Sequence, residues 1–450
     1  MSKNIKISRG VNIKLKGEAE KVHASLPLSS TVAIKPTDFA GVVPKLILKE
    51  KAEVKAGTPL FYSKENDKIV FTSPVSGEIA EIRRGDKRKI LEVVILADKE
   101  IKYETFAAGD PNSMSREQII ENLLKSGCWP FIRQRPYDVI ANPTDTPKSI
   151  FISAFDSSPL APDNDFIVHG NGEIFQIGLD AIRKLTEGKV HLNINAKGKA
   201  SDVFNNSKGV QINKISGPHP AGLVGVQIHK IDPINKGEKV WYLTPQDVLT
   251  IGRLFKEGKF DASRIVAVCG SQVKTPKYFK MLMGQSVSSI INGNVDTEKT
   301  RFISGNPLTG SQVTKEGHLG FYDYQFTAIP EGGEGEFFGW IAPGFDKFSL
   351  SRTFFSWLMP GKEYDLNTSM NGEERAYVMT GQYEKVFPFD IYPVQLVKAM
   401  IIKDIELMES LGVYEVAPED FALCEYACTS KINVQSIVRE GLDLVRAECG

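Results

Sequence analysis

Residues 126–163 read SGCWPFIRQRPYDVIANPTDTPKSIFISAFDSSPLAPD, and the reading of this stretch decides the fold. A helix runs into Gly127, an awkward loop follows, and then comes the apolar strand Ser149–Phe155. The strand ends in a carboxylate-hydroxyl turn, Asp156-Ser157-Ser158-Pro159. This is the outline of an α/β crossover of the kind that binds nucleotides or flavins. Ligands of open α/β sheets sit beyond the carboxyl ends of strands, so Asp156 and Ser157 lie where a ligand would be met. A phosphate-binding loop needs several glycines, so that backbone N–H groups can approach an anion. After Gly127 this loop offers Cys128, Trp129, Pro130 and Phe131, which cannot make that nest. Either the ligand is not a phosphate or the site has been lost.

Working outward, Ser115 and Gln118 form a capping box for the preceding helix, and Ile119, Ile120, Leu123 and Leu124 give it one apolar stripe. A strand as continuously apolar as Ser149–Phe155 is expected to be buried on both faces. A further helix near Leu179–Thr186 precedes the β-like KVHLNINAK. In TPQDVLTIGRLFKEG, Thr244 caps, Pro245 takes the first helical position, Asp247 favours the positive end and Gly258 stops the helix. Residues 105–258 thus predict a Rossmann-like α/β domain. Within it, SGPHPAGLVGVQIHKIDP (216–233) combines glycines and prolines with His219 and His229. Gly and Pro let the backbone turn tightly and approach something closely. That something is a neighbouring domain, or a bound ring or head group. Two histidines without a carboxylate or cysteine at ligand spacing argue poorly for metal.

On the N-terminal side, VKAGTPLFYSKENDKIVFTSPVSGEIAEIRRGD (54–86) alternates in short runs. Turn signals stand at Gly57, Glu65-Asn66-Asp67, Ser76-Gly77 and Arg84-Gly85-Asp86. It resembles the biotinyl/lipoyl hammerhead, a barrel-sandwich hybrid, most specifically at SPVSGEI. In carrier domains a lysine at the hairpin tip takes the cofactor, and Lys68 mimics it. The spacing from Gly57 is one residue longer than the carrier pattern, which favours a structural hammerhead with an ordinary surface lysine.

On the C-terminal side, RIVAVCG, the excursion SQVKTPKYFKMLMG and the short helix QSVSSIING fit a small β-grasp, SLBB-like module. Short aromatic strands are expected at Gly320–Ile329 and Phe337–Ile341, around the turn EGGEGE, which is too acidic to hold phosphate. YPVQLVKAMIIKDIELMESLG predicts one long helix with a broad apolar face, ended by Gly412. A second helix opens at Pro418, and a third runs from about 434 to 448. The fold class is α/β multidomain: a hammerhead β domain (1–104), the Rossmann-like domain (105–258), the β-grasp module (259–330), a β-rich connection (331–389) and a helical domain (390–450).

The 450 residues carry 55 basic and 55 acidic side chains, so nothing in the charge argues for nucleic acid. The charge is uneven, with roughly six excess bases in the first hundred residues and roughly six excess acids in the last fifty. No apolar run approaches the ~18–20 residues that span a bilayer, and the N-terminus lacks the apolar core of a secretory signal. Five cysteines, an odd and sparse set, suggest a reducing cytosol. Cys424 and Cys428 share a helical face, but a ferredoxin-type cluster needs four thiolates. The other two positions hold Phe421 and Pro418. The pair reads as two packed thiols or as a remnant.

The order of domains resembles that of the C subunit of the Rnf complex and of the flavoprotein subunit of complex I. It resembles most closely the A subunit family of the Na⁺-translocating NADH:quinone oxidoreductase. SPVSGEI, GPHPAGLVG…IHKIDP, GFDKFSLSRTFFSWL, TGQYEKVFPFDIYP and ALCEYAC carry the likeness along nearly the whole chain. The resemblance implies a peripheral subunit on the cytoplasmic face of a bacterial inner membrane. It would be held there by the membrane and flavin-carrying subunits B to F. The FMN loop and the iron–sulfur motif are degenerate, so no bound cofactor is expected. Quinone is a possible ligand. Its flat head group wants aromatic walls and hydrogen-bond donors. Trp129, Phe131 and Tyr137 offer walls and Arg133 and Arg135 donors. Asp156, Ser157 and His219 complete the candidate set. The same residues would also suit a filled, retired pocket. An independent soluble flavin or Rnf-type electron carrier is the alternative function.

Overall fold

The strand Ser149–Ser153 lies in the middle of a seven-stranded sheet. Side chains alternate across a strand. Ile150 and Ile152 therefore enter one core and Phe151 another, all three fully buried. The computed structural model describes residues 2–450 apart from Glu334, Phe337 and Trp340. Across the sheet the strands run Asn4–Lys6, Gln211–Ser216, Lys189–Asn195, Ser149–Ser153, Val240–Leu243, Arg133–Arg135 and Val139–Ile140. The first five are parallel, and Arg133–Arg135 turns the edge antiparallel.

Helices Arg116–Ser126, Gly172–Arg183 and Pro245–Glu257 cover one face, and their apolar stripes merge with the core of the hammerhead. Helix Val224–Ile231 and the C-terminal helices cover the other. The capping boxes at Ser115 and Thr244 form as expected, and Gly127 and Gly258 end their helices in the left-handed region. Helix Gly172–Arg183 begins well before the expected Leu179.

The hammerhead pairs a four-stranded sheet (Thr31–Ile34, Ile90–Ala97, Gly77–Arg84, Glu53–Val54) with a three-stranded one (Pro44–Leu46, Pro59–Ser63, Asn66–Thr72). Its hairpin tip is Lys64-Glu65 rather than Glu65-Asn66-Asp67, because Ser63 pairs directly with Asn66. Lys68 therefore lies within a strand. Glu65 at the tip forms an ion pair with Arg446 of the C-terminal helix. The first 25 residues serve the other two sheets: Asn4–Lys6 pairs with Gln211–Ser216, and Glu20–Ser25 with Lys277–Leu282.

The third sheet runs Ser311–Gln312, Thr300–Ser304, Gln325–Pro330, Ser263–Cys269, Lys277–Leu282, Glu20–Ser25, with the short helix Ser288–Ile291 against it. The aromatic strand expected from Gly320 starts only at Gln325. Phe337 and Trp340 of the expected strand Phe337–Ile341 lie outside the described residues, and Phe338 and Gly339 are in a turn; among the described residues the 331–389 connection expected to be β-rich holds no strand.

The single helix expected from Pro393 is two, Pro393–Ile401 and Ile405–Ser410. Lys403 takes a left-handed φ of 58°, and the Asp404 side chain accepts the Leu407 N–H at 3.0 Å. A local cap beats helical periodicity here because Asp bonds backbone readily. Pro418 opens a 3₁₀ turn before helix Ala422–Ala427, and the last helix spans Val434–Cys449. Among the described residues, no helix is long and apolar enough to cross a membrane.

Candidate functional site

At the carboxyl end of the central strand, Ser157 Oγ lies 3.0 Å from His219 Nδ1 and accepts the Gly222 N–H at 2.8 Å. Gly222 has no alternative, since a Cβ there would stand 2.5 Å from the Ser157 nitrogen. Asp156 Oδ1 accepts the Ser158 N–H at 2.8 Å and the Ser158 hydroxyl at 2.6 Å, fixing the turn. Asn12 Oδ1 accepts the His219 N–H at 2.8 Å, so the N-terminal segment holds this loop in place. Burial pushes His219 down to about 4, with Asp156 opposing. The imidazole is therefore neutral at pH 7. The tautomer that accepts from Ser157 carries its proton on Nε2. No hydrogen bond engages that nitrogen among the described residues, which leaves it as a side-chain donor of this group.

The depressed value has a thermodynamic consequence. Between about pH 4 and 6.5 the unfolded chain binds a proton at His219 that the folded chain refuses, so stability rises with pH. This contribution is complete above the unfolded value and is lost as pH falls toward 4. Wild type should lose about 3 kcal/mol relative to His219→Gln between pH 7 and pH 4, read from urea unfolding. A stability gap that does not change with pH would show that the ring is not buried neutral.

The Trp129–Tyr137 residues form a second group. Trp129 is fully buried, donates Nε1–H to the Ala141 carbonyl at 2.7 Å and meets Trp241 edge-on at 5.6 Å. Phe131 stacks on Phe321 at 5.0 Å. The Arg133 guanidinium lies between the rings of Tyr242 and Tyr322, 4.5 and 4.7 Å away. Tyr137 is buried and meets the Tyr414 ring edge-on at 6.2 Å. Arg135 is fully buried and pairs with Asp420, and with Glu419 at 2.8 Å. Burial disfavours its charge, but Asp420 and Glu419 outweigh this and hold the guanidinium above its ordinary value. Among the described residues, no hydrogen bond, ion pair or ring contact joins this group to Asp156, Ser157 or His219. The sequence set thus falls into a turn-and-histidine cluster, the core residues Trp129 and Phe131, and a packed joint with the C-terminal segment at Arg135 and Tyr137.

Sequence reasoning missed the carboxylates of that joint. Asp420, Glu419 and Asp138 surround Arg133 and Arg135, and Tyr242 donates its hydroxyl to Asp138. One signal was available: arginines two apart in a strand share a face, which buries two cations together unless acids meet them. Among the glycines of 216–233, Gly225 makes room for this joint, since a Cβ there would stand 2.4 Å from Asp420 Oδ1 and 2.7 Å from Arg135 Nη1. His229 sits in the same interface. Its Nδ1 is 2.6 Å from Glu415 Oε2, and its Nε2 accepts the Asp390 N–H at 3.0 Å.

Cys424 lies within helix Ala422–Ala427 and Cys428 at its end, both buried. Burial holds the Cys424 thiol well above its ordinary value, which keeps it protonated and a poor ligand. Among the described residues, no three His, Cys, Asp or Glu side chains are grouped to hold a metal.

Three family profiles match the chain in the order of these domains. Residues 5–98 match the NqrA N-terminal barrel-sandwich hybrid domain, 114–260 the NqrA second alpha/beta domain, and 265–315 the NQRA C-terminal domain, of SLBB type. A Photorhabdus laumondii protein, whose name makes it the A subunit of a Na(+)-translocating NADH-quinone reductase, is 37% identical over 447 residues, covering 99% of this chain and 100% of its own. This chain belongs to that family. Relatives of the same name from Rhodopirellula baltica and Neisseria meningitidis serogroup B are each 38% identical over 449 residues. They cover 98% and 99% of this chain and 98% and 100% of their own. The family resemblance read from the sequence is thus confirmed, as are its barrel-sandwich, α/β and SLBB-type parts. A solved structure described as NAD+-reducing [NiFe]-hydrogenase in the air-oxidized state aligns over 77% of this chain and 67% of its own. Its TM-score is 0.38 at 10% identity, too low to carry an argument.

Proposed function

We propose that this chain is the peripheral A subunit of a bacterial Na⁺-translocating NADH–quinone reductase. That complex couples electron transfer from NADH to quinone with Na⁺ export. The observation that carries the reading is similarity to proteins of that name over almost the whole of both chains. We place the chain at the cytoplasmic face of the inner membrane, docked on subunits B to F and without a redox group of its own. Two features support the last point. The loop after Gly127 offers no backbone nest for an FMN phosphate, and its space is taken by Trp129, Phe131 and their ring partners. The cysteine pair is buried in a helical core.

The order of the four parallel strands within 105–258 supports a Rossmann-like reading: taken in chain order from Ser149–Ser153 they run 3-2-1-4. We keep the division at 104, 258, 330 and 389 as the proposed domain boundaries, with 390–450 as the helical domain. Within the candidate quinone set, the contact we propose narrows to Asp156, Ser157 and His219. The His219 Nε2–H is the donor for a quinone carbonyl. Trp129, Phe131, Arg133, Arg135 and Tyr137 are taken up by packing and ion pairs of their own and leave the proposed contact.

Purification of the tagged full chain from native membranes tests the reading. The expected result is recovery of the other subunits with NADH-dependent quinone reductase activity, while the chain expressed alone is colourless. Recovery alone from membranes, or a stoichiometric flavin or iron–sulfur band in the isolated chain, would overturn it in favour of an independent electron carrier.

A further inference from the structure

The segment 341–362 stands out from the rest of the surface. Ile341, Phe345, Phe355, Trp357, Leu358 and Met359 are exposed by 61, 49, 53, 49, 59 and 38%. Two of them meet in space as well as lying close in sequence. The Phe345 and Phe355 rings are 6.1 Å apart, and the Phe355 N–H bonds the Pro343 carbonyl at 2.9 Å. Phe355, Trp357 and Leu358 are exposed on a single 3₁₀ turn, Phe355–Leu358. Scattered apolar residues on a surface need no explanation, but a contiguous group of this size marks an interaction site.

Cations border the group. The Arg352 guanidinium lies 5.9 Å from the Trp357 ring and has no ion pair among the described residues. Lys347 stands over Phe354 at 5.5 Å and also pairs with Glu336, while Lys362 reaches the Phe345 carbonyl at 2.9 Å and pairs with Asp346. The N-terminal segment adds two more. Leu15 bridges to Tyr364, Lys14 Nζ donates to the Pro360 carbonyl at 3.0 Å, and Lys16 lies close enough to act on Asp346. Glu336 and Asp346 offset two of these five bases, so the local excess is carried by Arg352, Lys14 and Lys16.

Two kinds of surface could cover such a group. The centres of protein–protein interfaces favour aromatics, Met and Arg but are depleted in Lys. A bilayer interface favours Trp, Phe and Leu at the acyl boundary with both Lys and Arg among the phosphates. Lys14 and Lys16, which with Arg352 have no ion pair among the described residues, fit the second. We propose that the 341–362 segment, with Lys14 and Lys16, is a direct docking surface for an anionic lipid bilayer. The rings and Leu358 enter the headgroup region, and Arg352, Lys14 and Lys16 meet lipid phosphates. This adds a lipid contact to the proposed protein contacts and does not depend on them.

Sedimentation of the full chain with vesicles tests it, using phosphatidylcholine alone and phosphatidylcholine mixed with phosphatidylglycerol. The wild type should partition onto the mixed vesicles, and more weakly as salt is raised. Trp357→Ser with Leu358→Ser should cut partitioning on the order of tenfold by removing buried apolar area. Arg352→Glu should cut it roughly fivefold or more. All three positions are exposed, so melting temperatures should hold, which separates lost binding from lost folding. No sedimentation of the wild type with either vesicle would overturn the proposal, as would equal binding of wild type and variants, or equal binding to both vesicle types. Loss of the other subunits from the membrane purification in the Trp357/Leu358 variant, with no vesicle binding by the wild type, would assign the surface to a protein partner instead. That outcome would leave the proposed subunit role standing.

Discussion

Asp420→Ala is expected to lower the unfolding free energy by about 3–5 kcal/mol, because it leaves a buried guanidinium without its counter-ion. Arg135 and Asp420 both have fully buried side chains and are in direct contact. Asp420 Oδ2 also accepts the Ala417 N–H at 2.8 Å, so the substitution orphans a backbone donor as well. Glu419, at 2.8 Å and partly exposed, remains as a partner and sets the effect toward the lower end of the range. A double variant, Arg135→Met with Asp420→Leu, should recover part of the loss, since it removes the unpaired guanidinium while the Ala417 N–H and Glu419 stay without these partners. Urea unfolding of the three proteins checks both statements. A loss under about 1 kcal/mol in the single variant would mean that the arginine reaches water, and that the joint is not sealed as described.

Trp129→Ala is expected to cost about 3–5 kcal/mol of stability through the cavity it leaves. The ring is fully buried in the core shared by the sheet and the hammerhead, where it packs on Trp241. Its indole N–H satisfies the Ala141 carbonyl, so the substitution also removes a buried hydrogen bond. This outcome separates two uses of the residue. A ligand wall would lose affinity for a soluble quinone analogue at unchanged melting temperature. A packing residue loses melting temperature, and any change in binding follows from that. A melting temperature within a degree or so of wild type would return Trp129 to the ligand wall.

Much of the architecture was legible in the residues alone. Local chemistry announced the helix ends at Ser115, Gly127, Thr244 and Gly258, and all four formed as read. The doubly buried strand was visible as an unbroken apolar run, and both its faces meet a core. Reading failed where two local signals competed, as at Lys403-Asp404, where a cap interrupts a periodic face. It failed again at the hammerhead tip, where pairing of Ser63 with Asn66 moved the turn by one residue. Of the candidate site, the turn Asp156-Ser157 and His219 were found by their positions in the α/β pattern, and the structure brings them together.

The sequence by itself determined most of the helices and strands of the first three domains, their order and the family to which the chain belongs. These follow from capping, periodicity and motifs that act over a few residues. Only the tertiary structure decided that the aromatic loop is packed and that its arginines are neutralised. Arg135 and Asp420 are 285 positions apart, and nothing local to either predicts the other. The same holds for Gly225, whose missing side chain makes room for that pair, and for the first 25 residues, which complete sheets formed much later in the chain. A cation's burial and its partner's approach are settled by how layers stack, and that depends on the whole chain at once.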